Sequence, residues 1–445
     1  MNTKSEWRKK SARSSVFIKR NLNYLRNPSL EVTSRKIETI FYVILPRLIR
    51  FALGLIPAIL FLVVMRLVNP FVIVRITPIN ASRFGHLALD PEIFLAERKS
   101  GIGRHTQRVF DIWYLWHLPL PVSNRFLVHM WKREIRIWPT WLMQPVDTLN
   151  RFIPGGRDHE PFYRKNLPGL MNHVQGDPFN SFYRYRPVLS FEEGEIKEAL
   201  QSLKVIDYQE NSKHVCLVVR DQAHFSAMRS VDFSDHDFRN AEIDSYRDAA
   251  EYLEQKGYFV FRMGQRTHQR IDWTTNRIID YAGSSLQSEM IDVFLLSTCE
   301  FCVSTGSGPD GVALAFRRPI LFTNLAQVGQ LALTFWSRFV PKRFFSVDSG
   351  DEMNLSQVIS MNLEDARSAQ DLESCGVFQR PNSSTELRNA VEEMHLRVTG
   401  GWVETEDEKD LQGKFLSLIP SYLKMGTIRG GISATFLESA ETWTK

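Results

Sequence analysis

Residues 301–323, FCVSTGSGPDGVALAFRRPILFT, decide how this chain folds. FCVST is an apolar run of the kind found in a strand covered on both faces. Gly306-Ser307-Gly308 then lets the backbone turn sharply and approach a ligand closely. Pro309 suits the first position of a short helix over 309–316, and PILFT at 319–323 reads as the next strand. Strand, glycine turn, helix and strand in so short a span form the repeating unit of a parallel sheet with helices on both sides.

The same alternation runs upstream. HVCLVVR (214–220), YFVFRM (258–263) and NRIIDY (276–281) read as strands, and SYRDAAEYLEQ (245–255) and SEMIDVFLLS (288–297) as helices. Ser245 or Asp244 is the expected cap of the first helix, and Gly257 its stop. Polar loops at 220–224, 262–266, 282–288 and 304–310 fall at carboxyl ends of strands, where such sheets bind ligands. An earlier unit opens with FVIVRI (71–76) and a polar loop, followed by a helix predicted from Pro91 with Asp90 as N-cap. Residues 150–190 read as irregular. The predicted class is α/β: two facing Rossmann-like domains over 69–210 and 211–375, then a helical segment over 376–445.

Composition narrows the class further. Four cysteines in 445 residues exclude a disulfide scaffold and suit a reducing compartment. The net charge of +5 is unevenly spread, since residues 1–50 hold twelve Lys/Arg and three Glu, or +9, leaving −4 on the rest. A basic tail (1–37) on a slightly acidic body argues against a nucleic-acid binder. Behind the tail lies an apolar segment (38–68) whose core, FALGLIPAILFLVVM (51–65), has no charge and is bounded by Arg50 and Arg66. Pro46 and Pro57 predict a broken helix or shallow hairpin dipping into one leaflet. The basic tail would face the anionic cytoplasmic leaflet. A buried helix and a complete span remain open alternatives. Half of the tryptophans lie between Trp113 and Trp141, a stripe expected mainly in the core.

Chemistry concentrates in the loops. A helix N-terminus after a glycine turn presents free N–H groups to phosphate, which marks Thr305, Gly306, Ser307 and Gly308. Arg220, Arg239 and Arg262 lie at or near strand ends, where guanidinium groups can converge on a diphosphate. His86, in SRFGHLALDPE, is the expected general base, with Asp221 as the alternative. Arg262→Ala is expected to cut turnover while leaving the fold intact. Cys299 and Cys302 form a CxxC without a second pair and read as packing residues. No HExxH, Walker or GxSxG pattern occurs.

HDFRNAEIDSYRDAAEYLEQKGYFVFRMG, IIDY and FCVSTGSGPDGVALAFRRPILFTN, together with RFGHLALDPEIFL, resemble a family of bacterial glycosyltransferases of surface-carbohydrate gene clusters over about residues 70–345. NSSTELRNAVEEM adds a weaker echo. That family is similar to GT-B enzymes, which hold a nucleotide-sugar in the C-terminal domain and the acceptor on the N-terminal one. The resemblance implies donor contacts at Arg239, Asn240, Arg262, Gly264, Ser307 and Gly308, a base at His86, and no metal or other cofactor. Its partners would be a nucleotide-sugar and a lipid-linked or glycan acceptor at the cytoplasmic face of the inner membrane. Two other readings stay open: a non-catalytic membrane scaffold with a degenerate nucleotide pocket, and a pyruvyl or phosphoryl transferase acting on a glycan.

Overall fold

The computed structural model describes residues 45–103, 106–116, 121–161, 179, 181–221, 238–265, 267, 269–328, 337–364, 366, 368–419, 430–440 and 442–443. The basic tail, the start of the apolar segment, most of 162–180, and positions 222–224 and 266 of the expected loops lie outside them. The chain divides into two compact units, Met1–Leu53 and Gly54–Lys445. Of the first, only the opening turns of a helix are described.

That helix, α1 (Leu45–Val68), runs unbroken through Pro57, so the expected break or hairpin is absent. An interior proline removes one helical hydrogen bond, and neighbouring turns carry the helix past it. The first half continues with β1 (Val72–Asn80), α2 (Phe84–Lys99), β2 (Arg108–Trp116), α3 (Arg125–Glu134), β3 (Ile137–Trp138), α4 (Thr140–Asn150) and α5 (Glu193–Leu203). Strands β1, β2 and β3 form a parallel sheet in that order. Side chains alternate across it. Val74, Ile76, Ile112 and Tyr114 meet Ala58, Leu62 and Met65 of α1 and Met143 and Val146 of α4. On the other side Arg75 lies over the Phe94 ring of α2, and its Nε donates to Asp111 Oδ1 at 2.6 Å.

Helix α2 starts seven residues before its expected start. Arg83 is its N-cap, and both Asp90 and Pro91 lie inside it. Pro91 has no N–H, which leaves the carbonyl of Leu87 without its helical donor. The indole N–H of Trp131 supplies the missing bond at 2.8 Å. A tertiary contact thus permits a helix that local signals would have begun later. The tryptophan stripe divides: Trp113 and Trp131 are buried, whereas Trp116 and Trp141 are nearly half exposed.

The second half comprises β4 (His214–Val218), α6 (Arg247–Gln255), β5 (Phe259–Arg262), β6 (Ile278–Ile279), α7 (Glu289–Thr298), β7 (Phe301–Ser304), α8 (Asp310–Ala315), β8 (Ile320–Leu325), β9 (Arg338–Pro341), β10 (Arg343–Ser346), α9 (Leu355–Ser360), α10 (Ala369–Glu373), β11 (Val377–Arg380), α11 (Ser384–Thr399), α12 (Glu406–Leu418), β12 (Gly431–Ile432) and α13 (Ala434–Ser439). Seven strands make one parallel sheet in the order β12-β9-β8-β7-β4-β5-β6, and β10 and β11 pair separately. Chain order runs outward in both directions from β4 and β7, the doubly wound pattern whose crevice opens where the direction switches. The expected α/β class and parallel sheets are therefore present. Cys216, Cys299 and Cys302 are buried in this sheet and its flank.

The halves share one hydrophobic core, in which Leu87, Ala88 and Trp131 belong to the same cluster as Ala313 and Leu314. Polar ties reinforce it. Glu289 Oε2 accepts the first free N–H groups of α3, Arg125 N at 2.7 Å and Phe126 N at 3.3 Å, a favourable place for an anion. Buried Glu92 accepts from Arg317 Nη2 at 2.9 Å and from Val188 N at 3.0 Å, while burial raises its pKa against the pull of Arg317.

Candidate active site

The crevice between the carboxyl ends of β4 and β7 is closed at its base by two bonds. Thr305 N donates to Val218 O at 3.1 Å, and Arg220 N donates to Thr305 Oγ1 at 2.9 Å. Thr305 is a buried clamp between the two loops that leave the sheet there. Gly306 follows with φ +78°, a conformation that favours glycine.

The glycine turn is internally bonded. Gly306 N donates to Ser304 Oγ at 3.1 Å, Ser307 N to Asp310 Oδ2 at 2.6 Å, and Ser304 Oγ to the same carboxylate oxygen at 2.8 Å. Burial raises the Asp310 pKa to about 6, and the bonds from Ser304 and Ser307, the charge of Arg239 and the bond from Gly311 pull it down. The expectation of free N–H groups aimed outward is corrected here, because Asp310 and Ser304 have taken those of Ser307 and Gly306. Pro309 is the N-cap of α8 rather than its first helical residue.

Positive charge comes instead from side chains. Arg239 Nη2 donates to Gly306 O at 2.7 Å. Burial lowers its pKa, Asp310 raises it, and the positive charge of Arg83 lowers it further. Two guanidinium groups are therefore close enough to repel each other beside the turn, an arrangement that an anion would relieve. Exposed Arg83, at the N-cap of α2, was not among the expected site residues. The backbone on either side of Arg239 is held by buried Lys342, whose Nζ donates to Phe238 O at 2.8 Å and to Asn240 O at 2.9 Å. Burial brings that ammonium down to about 8.

Helix α2 delivers His86 to the same place. Its first turn touches the glycine turn backbone to backbone: a Cβ on Gly85 would lie 2.9 Å from Gly308 O, and one on Gly311 only 2.6 Å from Gly85 Cα. His86 is the next residue. Its Nδ1 lies 3.1 Å from Asp90 Oδ2, one helical turn on, and both side chains are largely buried. With Nδ1–H donated to the carboxylate, the ring presents Nε2 as a proton acceptor. Asp90, expected as an N-cap, is thus the orienting partner of His86.

The remaining expected residues take other places. Arg262 is 2% exposed, with Nη1 3.0 Å from Asp280 Oδ1 and 2.9 Å from Gln269 O, and Nη2 3.7 Å from Asp221 Oδ2. It is a buried strut beneath the loop carrying Asp221, and an intact fold in Arg262→Ala is no longer expected. Gly264, at φ +149°, turns the chain after β5, and its carbonyl accepts from Gln287 Nε2 at 2.7 Å. Asp244 does not cap α6 but accepts from Trp273 Nε1 at 3.0 Å and Gln269 Nε2 at 2.9 Å. Arg239 and residues 305–308 are therefore joined directly, Arg220 through its backbone N–H and His86 only through its neighbour Gly85, while Asp221 joins Arg262 below. Among the described residues, no three His, Cys, Asp or Glu side chains gather as a metal ion requires.

No protein-family model and no curated protein matches this sequence. Among solved structures, the chain is similar to the dodecameric iron-containing heptosyltransferase TibC in complex with ADP-D-beta-D-heptose, at 14% identity over 59% of this chain and 61% of that one, with a TM-score of 0.32. It therefore spans less than two thirds of the TibC chain, which comes from enterotoxigenic E. coli H10407. A glycosyl transferase family 9 protein from Veillonella parvula DSM 2008 matches at 10% identity, 73% of this chain and 97% of that one, with a TM-score of 0.42. E. coli ADP-heptose lps heptosyltransferase II matches at 13% identity, 60% and 90%, with a TM-score of 0.33.

Proposed function

We propose that this chain is a GT-B-like glycosyltransferase that moves a sugar from a nucleotide-sugar to a hydroxyl of a lipid-linked or glycan acceptor in bacterial surface polysaccharide biosynthesis. The observation that carries this reading is the contact of Gly85 with Gly308. It sets a carboxylate-oriented imidazole one residue from a turn bordered by two arginines. Acceptor activation and leaving-group stabilisation need those two devices side by side.

In this mechanism His86 Nε2 takes the acceptor hydroxyl proton as the oxygen bonds to the anomeric carbon. The bond from that carbon to the diphosphate breaks, and its electron pair stays on the departing phosphate oxygen. Arg239 and Arg83 offset the charge that develops there, and Asp90 steadies the imidazolium. No metal ion takes part in this scheme. Asp221 is the weaker base candidate, because its carboxylate faces Arg262.

A screen of nucleotide-sugars for thermal stabilisation identifies the donor, since a ligand of the folded state raises its apparent stability. His86→Gln should then bind that donor normally and lose about 10²–10⁴-fold in turnover. Full turnover in His86→Gln would remove the histidine from the mechanism. Stabilisation by no donor at all would favour the scaffold reading.

A further inference from the structure

Helix α1 is long and apolar enough over Phe51–Val68 to cross a membrane, judged by length and composition. Its surroundings bear on how it meets one. Ala58, Leu62 and Met65, at helical spacing, are 0%, 4% and 1% exposed and seated on β1, β2 and α4. Arg66 Nη2 adds a bond of 2.8 Å to Asn150 Oδ1 at the end of that seat. From Gly54 to the last turn, one side of the helix therefore lies along a folded domain. The opposite side carries Ile56, Ile59, Leu60, Val63, Val64 and Leu67, each 48–71% exposed.

A single helix that spans the bilayer with a polar domain packed along it would carry that domain's charged and amide groups into hydrocarbon, at high cost. Here the flank is occupied by a domain containing Arg66, Asn150 and the Tyr114–Asp147 pair. Only one side is free, and lipid can reach that side only when the axis lies parallel to the membrane. Aromatic residues mark both ends. Trp141, whose carbonyl would lie 2.1 Å from a Cβ on Gly54, is 47% exposed. Phe71, just past α1, and Phe152, two residues after Asn150, are 77% and 82% exposed. Such rings favour the boundary between headgroups and acyl chains.

We propose that the outer side of α1, with Trp141, Phe71 and Phe152, lies in the plane of an anionic bilayer without crossing it. Charge selects this partner over a second copy of the chain. Residues 1–50 hold twelve Lys/Arg and three Glu, an excess that anionic headgroups attract and that pairing two chains would oppose. The outer side holds no acidic residue to complement that excess. This inference stands independently of the transferase reading, and it replaces the hairpin expected from Pro57.

Depth measurement tests it. The full chain with Cys375→Ser has no exposed thiol among its described cysteines, so a fluorophore can be placed at Ile56→Cys, Leu60→Cys or Leu67→Cys. On phosphatidylglycerol-containing vesicles, the in-plane helix puts all three at one shallow depth, about 5–10 Å below the headgroups. A spanning helix would separate positions 56 and 67 by about 16 Å along the normal, and graded quenching of that size would overturn the proposal. Ile56, Leu60 and Leu67 replaced together by Ser should lower partitioning about a thousandfold at unchanged melting temperature, tenfold for each side chain. Equal binding to purely zwitterionic vesicles would refute the anionic preference. No vesicle binding, with labels shielded in a concentration-dependent dimer, would assign the surface to a second copy.

Discussion

Replacing Gly311 by alanine probes the joint on which the proposed chemistry depends. The new methyl would stand 2.6 Å from Gly85 Cα, 3.0 Å from its O and 3.2 Å from its C, all backbone atoms without rotamers. Carbon atoms rest at about 3.5–4.0 Å, so the first turn of α2 must retreat by about 1 Å. Two terms compete. Alanine favours the helix by about 1 kcal/mol over glycine, whereas overpacking costs about 1–3 kcal/mol. Because the neighbours are rigid, the upper part of that range applies, and a net loss of about 1–2 kcal/mol is expected. His86 moves with the turn, and a displacement of about 1 Å can reduce turnover about 10²-fold. Gly413 provides the control: it lies within α12 with nothing within 4 Å of its would-be Cβ. Gly413→Ala should gain about 0.5–1 kcal/mol. Urea unfolding of the three proteins decides the matter. If Gly311→Ala gains stability as Gly413→Ala does, the two turns are not in contact and the reasoning fails.

Arg262→Ala should cost about 3–5 kcal/mol, since it leaves Asp280 and Asp221 facing a buried space without their cation, and the shift in urea midpoint measures this. Trp131→Phe should cost about 1–3 kcal/mol by stranding the Leu87 carbonyl, and adding Pro91→Ala should recover part of it by restoring a helical donor; a double-mutant cycle showing no coupling would contradict the assignment. Asp310 has its folded pKa raised to about 6 from 3.8, so its contribution to stability is fully present below pH 3.8 and is lost as pH rises through 6. A difference of roughly 3 kcal/mol between those limits should be missing from Asp310→Asn in unfolding curves taken across that range.

Much of the second half was legible because its strands are short, wholly apolar runs between polar loops. HVCLV, FVFR, FCVS and ILFTNL stand where the pattern put them to within a residue or two. The misreadings arose where a distant residue outweighed a local signal. Asp90-Pro91 has the form of a helix start, yet Trp131, forty residues later, supplies what Pro91 lacks, and Asp90 turns back to His86. His86 and the glycine turn could each be singled out in the sequence. The contact of Gly85, beside His86, with that turn could not, because it depends on Gly85 and Gly311 admitting two backbones. Arg262 looked like a strand-end ligand for the same reason that it is a buried strut: nothing nearby in sequence announces Asp280 as its partner. Lys342 and Arg83 carried no local signal at all.

The continuous core of Leu87, Ala88, Trp131, Ala313 and Leu314 bears on how variants of this protein can be built. Recombining the chain near residue 210 with the matching part of a relative, a common way to exchange one substrate specificity for another, would sever that core and separate Glu289 from the helix it caps. Each fragment would then expose a surface shaped for its missing counterpart, an aggregation hazard rather than a portable module. New specificity is more readily grafted at loop tips above the sheet, where side chains can change without breaking the joint between Gly85 and Gly311.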